Sequence, residues 1–164
     1  MPPTEKDMFL STWETEFKTT LKVLKAYPAD KLDLKPAEKS KSARDLAFTF
    51  AGEQGIVDMV MKGKIDFSGP QPSAPNTLNE IITMYESATK GNMQRVKAMT
   101  EADYNSMIGW FVAPKTPGQV RKADVLWITL MDMVHHRGQL SVYLRMAGGK
   151  LPSIYGPTAD EPWM

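Results

Sequence analysis

Apolar side chains return at helical spacing through the first segment of this chain, and that pattern constrains the fold more than any other feature. Phe9, Trp13, Phe17, Leu21 and Leu24 recur every three or four residues, with charge on the opposite side. The spacing predicts one amphipathic helix from about Thr4 to Ala26, whose apolar stripe must be covered by other elements. Pro28 and Pro36 bracket its exit. A second helix is expected to open at Ser42, where the serine can cap and Asp45 stands three residues on, and to run to about Gly63. The proline-rich loop "DFSGPQPSAPN" separates it from a third. That helix opens on the capping box Thr77 to Glu80 and reaches roughly Met99. A fourth begins near Val120 and stops at Gly148 and Gly149.

The segment from Thr100 to Gly118 is less regular, with room for a helical turn or an extended piece around Ile108 to Val112. No alternating strand pattern of any length stands out. Four helices of about twenty residues with long crossover loops predict an all-α four-helix bundle, one domain over residues 1–164. Such bundles commonly build ligand or metal sites from side chains on facing helices.

At 164 residues the chain can bury a sizeable core without staples, and it contains no cysteine. Disulfides, thiolate zinc sites and thiol nucleophiles are therefore excluded. The net charge of +1 and the scattered lysines argue against a nucleic-acid or anionic-membrane partner. The start "MPPTEKDMF" has no apolar run after a basic one, and no stretch approaches the ~18 apolar residues of a membrane span. A cytoplasmic location is the expectation.

Both histidines of the chain lie side by side in the fourth helix, within "MDMVHHRGQL". A helix turns about 100° per residue, so Asp132 and His136 share a face with Val125, Ile128, Gln139 and Tyr143, flanked by His135 and Thr129. Arg137 points roughly the other way and is expected to pair with an acid such as Asp160 or Glu161. The second helix carries Thr49 and Glu53, also four apart, inside an apolar stripe of Leu46, Ile56, Val57 and Val60. A buried carboxylate is costly unless it is paired, hydrogen-bonded or metal-bound. If the two faces meet, Glu53, Asp132 and His136 form a two-carboxylate, one-histidine set suited to iron, manganese, zinc or nickel. The competing reading is a hydrogen-bonded structural Asp/His pair. The methionines Met59, Met61, Met131, Met133 and Met146 read as flexible core filler.

The run "DMVHHRGQLSVYLRMAGGKLPSIYGPTADEP", from Asp132 to Pro162, closely resembles the C-terminal signature of the DinB-like superfamily, with weaker support from "SARDLAFTFAGEQ" in the second helix. The family is named for damage-inducible bacterial proteins; the name implies a pattern of induction, not DNA binding. The resemblance implies a four-helix bundle holding a divalent metal with three histidines, one from the second helix and two from the fourth. It also implies a small-molecule substrate, in some members a low-molecular-weight thiol, and a homodimer. In this sequence the last of those ligands matches His136, the position four earlier is Asp132, and the second-helix position falls at Thr49. Glu53, one turn on, is the residue that can compensate, as ligand or general base. His135 and Gln139 are candidates to orient substrate or support the ligands, and Tyr143 to donate to a developing anion. The reading that follows is a metal-dependent hydrolase or thiol transferase with a modified site. The alternative is a non-catalytic member whose polar cluster is structural or binds a small molecule.

Overall fold

The computed structural model describes residues 2–164. It is 58% helical, with a small two-stranded sheet. Four helices are long: α1 (Glu5–Ala26), α2 (Ala43–Lys62), α3 (Leu78–Ala98) and α5 (Lys122–Met146). A 3-10 turn at Ala29–Lys31 follows α1, and the one-turn α4 (Glu101–Tyr104) follows α3.

Helix starts are set by side chains that satisfy otherwise unpaired backbone N–H groups. The Thr4 hydroxyl accepts from the Asp7 amide at 3.2 Å while the Asp7 carboxylate accepts from the Thr4 amide at 3.0 Å. Thr77 and Glu80 form the same reciprocal pair at α3, and Ser42 caps α2 by accepting from the Asp45 amide at 3.1 Å. Gly63 ends α2 at φ 75°, a left-handed conformation that costs glycine nothing.

The α1 stripe is buried as its spacing predicts: Phe9, Trp13 and Leu24 are at most 1% exposed. Each long helix packs on two others, α1 against α3 and α5, and α2 against the same pair. Aromatic edges lock the centre, with Phe17 and Phe50 both against Tyr85 at 5.4 and 5.8 Å between ring centroids. Burying side chains of this size contributes roughly 1.5–3 kcal/mol each.

A β-hairpin corrects the expectation of a purely helical chain. β1 (Met107–Ala113) pairs antiparallel with β2 (Thr116–Arg121), Ile108 opposite Val120 and Trp110 opposite Gly118, and β2 runs directly into α5. Ile108 alone among its strand residues is fully buried. Without a buried face there is no apolar–polar alternation for the sequence to display.

Two further expectations change. Met131 and Met146 are about half exposed, and of the five methionines expected as core filler only Met133 is fully buried. Arg137 pairs with neither Asp160 nor Glu161. Its guanidinium, 1% exposed, lies 2.6 Å from the Glu16 carboxylate, donates to the Glu16 carbonyl and Thr20 hydroxyl, and meets the Tyr155 hydroxyl. Tyr155 also donates to Glu16 at 2.8 Å, so the tail is pinned to α1. Asp160 instead pairs with Arg145 at 3.2 Å, and Glu161 accepts from the Ser153 amide. The tail's partner was beyond reach of the sequence because Glu16 lies 121 positions from Arg137.

Candidate metal centre

The packing of α2 on α5 brings Glu53 to Asp132 and His136. One ligand atom from each of the three lies within 4.8 Å of the other two. Glu53 is 9% exposed, whereas the Asp132 side chain is 48% exposed and that of His136 16%. The cluster therefore sits at the rim of the helical core, with one carboxylate inside and one facing outward. The His136 Nε2 and Asp132 Oδ2 are 3.2 Å apart.

Gln139, one turn below, fixes both imidazoles. Its Oε1 is 3.0 Å from His136 Nδ1 and its Nε2 is 3.0 Å from His135 Nε2. With the amide in that orientation, the carboxamide nitrogen donates to His135 and its oxygen accepts from His136 Nδ1–H. The neutral His136 tautomer then presents a bare Nε2 lone pair to the Asp132 carboxylate, an arrangement that requires a proton or a cation between them. A hydrogen bond that fixes the far ring nitrogen is the usual support for a metal-binding histidine.

Glu53 carries the same requirement. Burial raises its carboxyl, and the negative charge of Asp132 raises it further, to about 7; Lys41 acts in the opposite direction. Two carboxylates held this close repel unless a proton or a cation neutralises one of them. Two hard oxygen donors and one imidazole, with no thiolate, match a borderline or hard divalent cation. On donor chemistry and on electrostatics, the residues present fit a divalent metal.

The remaining sequence candidates divide. Thr49 lies one turn before Glu53, but its hydroxyl donates to the Asp45 carbonyl and accepts from Lys41 Nζ, both at 3.0 Å. It anchors Lys41 beside the cluster. Tyr143 is buried and donates to the Lys41 carbonyl at 3.0 Å, tying α5 to the segment before α2. His135 is exposed and lies outside the three-ligand group, on the wall of a cavity that Glu53 and Asp132 also line. Ile128, expected to share the apolar side of Asp132, is half exposed.

Lys41, Trp110 and Trp127 were not recognised as site residues from the sequence. Lys41 read as one more scattered surface lysine, and Trp110 belongs to the unforeseen hairpin. Trp127 lies in the helix that contains the histidines, and its proximity to Asp132 along the chain was the available signal.

A model of the DinB family matches residues 1–163. The chain belongs to the DinB family. Among curated proteins, this DinB-family chain is 26% identical over 158 residues to the uncharacterized protein YrdA of Bacillus subtilis (strain 168), covering 94% of this chain and 90% of the relative. Among solved structures it is similar to a DinB-like protein from Bacillus cereus ATCC 10987, with a TM-score of 0.76 at 20% identity over 90% of this chain and 95% of that one. The DinB-like protein YjoA of Bacillus subtilis gives 0.73 at 21% identity, covering 90% and 97%. At those identities the structural likeness speaks to the fold. No helix among the described residues is long and apolar enough to cross a membrane.

Proposed function

We propose that this DinB-family protein is a four-helix bundle acting as a divalent-metal-dependent enzyme on a small molecule, as a hydrolase or thiol transferase. Glu53, Asp132 and His136 are the residues that would hold the ion. The observation that carries the reading is convergence: two carboxylates and an imidazole whose far nitrogen is already engaged meet in one small volume. The donor set suits zinc, manganese, iron or nickel.

The chemistry such an ion supplies when bound is Lewis acidity, by which water or a thiol becomes a nucleophile near pH 7. The chain's own residues do the rest. Gln139 would orient His136 by accepting from its Nδ1–H, which turns Nε2 toward Asp132 and the ion. Where Asp132 and His136 alone hold the ion, Glu53 is placed to accept or return a proton at its carboxylate beside them. Asp132, the more open of the two acids, offers oxygen atoms on the solvent side.

A second reading has its own support. With its carboxyl raised to about 7, Glu53 can retain a proton and neutralise the cluster without any metal. The polar group would then be a structural tie between α2 and α5.

Elemental analysis of protein purified without a metal-affinity tag separates the two, with wild type beside His136→Ala. Near-stoichiometric zinc, nickel, manganese or iron that disappears in the variant supports the enzyme reading and directs a screen of hydrolysis and thiol-transfer substrates. Metal-free wild type that gains no thermal stability from added divalent ions overturns it in favour of the structural tie.

A further inference from the structure

A cavity of about 490 Å³ opens beside the cluster, bounded by α2, α5 and the hairpin. Its size falls in the range of small-molecule sites, roughly 300–1,000 Å³. The walls are apolar: Trp110 from β1, Ile56 from α2, and Trp127, Ile128 and Met131 from α5. Glu53 and Asp132 also line it, so the cavity communicates directly with the candidate ligand atoms. Both aromatic walls are held from behind. Trp127 packs edge-on against the core residue Phe9 at 5.1 Å between ring centroids, and Trp110 packs against Phe67 and Phe111 at 6.0 and 6.2 Å. Rigid aromatic rings bury large area at low entropic cost, which suits them to gripping a flat apolar group.

The charge pattern narrows the ligand. No lysine or arginine lines this cavity among the described residues, whereas Lys41 lines the depressions on the other sides of the cluster. The Thr129 hydroxyl donates back to the Val125 carbonyl of its own helix at 2.8 Å. An anionic group here would face two carboxylates, and the one nitrogen base on the walls is the exposed imidazole of His135, already engaged by the Gln139 carboxamide. An uncharged aromatic or alkyl group meets apolar surface on three sides.

We propose that this cavity is the subsite for the substrate's apolar body, an uncharged aromatic or alkyl group held between Trp110 and Trp127 with its polar end directed at Glu53 and Asp132. This rests on the reading of the cluster as the reacting centre and adds the substrate class to it. The hairpin then has a role: it supplies one wall of the site.

The test is calorimetric titration of the full chain, treated with EDTA, with 2-naphthylmethanol and with 2-naphthoate, an uncharged and an anionic probe of the same ring. The expected result is one-to-one binding of the alcohol, with the carboxylate at least tenfold weaker. Trp110→Ala and Ile128→Glu should each weaken the alcohol at least tenfold. Both residues are partly exposed, so both variants should fold. Lys39→Ala, at a separate depression, should leave binding unchanged. Absence of alcohol binding, indifference to both wall variants, or equal binding of the carboxylate would each overturn the proposal. Metal analysis of the same preparations before EDTA treatment keeps the two readings apart. Naphthyl binding without metal sinks the enzyme reading alone, and metal without naphthyl binding sinks the subsite alone.

Discussion

At the scale of single residues, Glu53 makes a distinctive statement about pH. Its carboxyl is raised from 4.5 to about 7 in the folded protein. Between those values the folded metal-free chain keeps a proton that the unfolded chain has lost, so folding stability falls as pH rises through that window and levels off above it. This is opposite in sign to the usual salt-bridged carboxylate. Thermal melts of EDTA-treated protein should show a loss of roughly 1–3 kcal/mol between pH 4.5 and 7 beyond that of Glu53→Gln. A wild-type profile parallel to that of Glu53→Gln would contradict the burial argument.

Arg137 makes the other residue-scale prediction. Its charge is almost wholly buried and matched by Glu16, the Thr20 hydroxyl and Tyr155, with the Arg137 guanidinium 5.1 Å from the Tyr155 ring centroid. Arg137→Ala leaves Glu16, whose side chain is 13% exposed, with the Tyr155 hydroxyl but no cation. The expected cost is about 3–5 kcal/mol in denaturant unfolding, with the double variant Arg137→Ala, Glu16→Ala recovering part of it. An additive double variant would show that the pair is not coupled.

At the scale of elements, the helices were legible because each carries its own instructions. Helix α3 opens on Thr77 and Glu80, where the Thr77 hydroxyl accepts from the Glu80 amide at 3.3 Å and the Thr77 amide donates back to the carboxylate at 3.1 Å. Thr77→Ala should lower stability by about 1 kcal/mol and speed amide exchange in the first turn of α3 while leaving the cluster untouched. Unchanged exchange there would show that the cap does not hold the helix start. The hairpin was not legible for the converse reason. Its strands expose most of their side chains, and the turn places Lys115 at φ 58°, a conformation for which the sequence offers no glycine or asparagine. Its place against α5 is a tertiary fact, as is the presence of Trp110 and Trp127 on the walls of one cavity.

For the whole molecule, folding, protonation and metal binding are linked. An ion that takes Glu53 as a ligand must displace its proton below pH 7, so affinity should rise about tenfold per pH unit toward 7 and flatten above it. At a hundredfold excess over Kd the bound ion should stabilise the fold by roughly 2.7 kcal/mol, a gain lost in His136→Ala. Titrations with zinc and manganese at pH 6, 7 and 8, read by thermal denaturation, check both. A Kd indifferent to pH would remove Glu53 from the ligand set.

The sequence by itself determined the four long helices, the caps at Ser42 and Thr77 and the grouping of Asp132 with His136, because these depend on residues a few positions apart, and the run from Asp132 to Pro162 carried the family. It suggested Glu53 as a partner only on the condition that α2 and α5 meet. Packing alone decided that they do, that the cluster lies at the core's rim, that Thr49 is tied to Lys41, and that Arg137 answers to Glu16. The cavity wall at Trp110 belongs with these. Local periodicity is set by backbone geometry within one element, whereas the identity of a neighbour on another element, 8 positions away for Lys41 and Thr49 and 121 for Glu16 and Arg137, depends on how all the buried surfaces fit together.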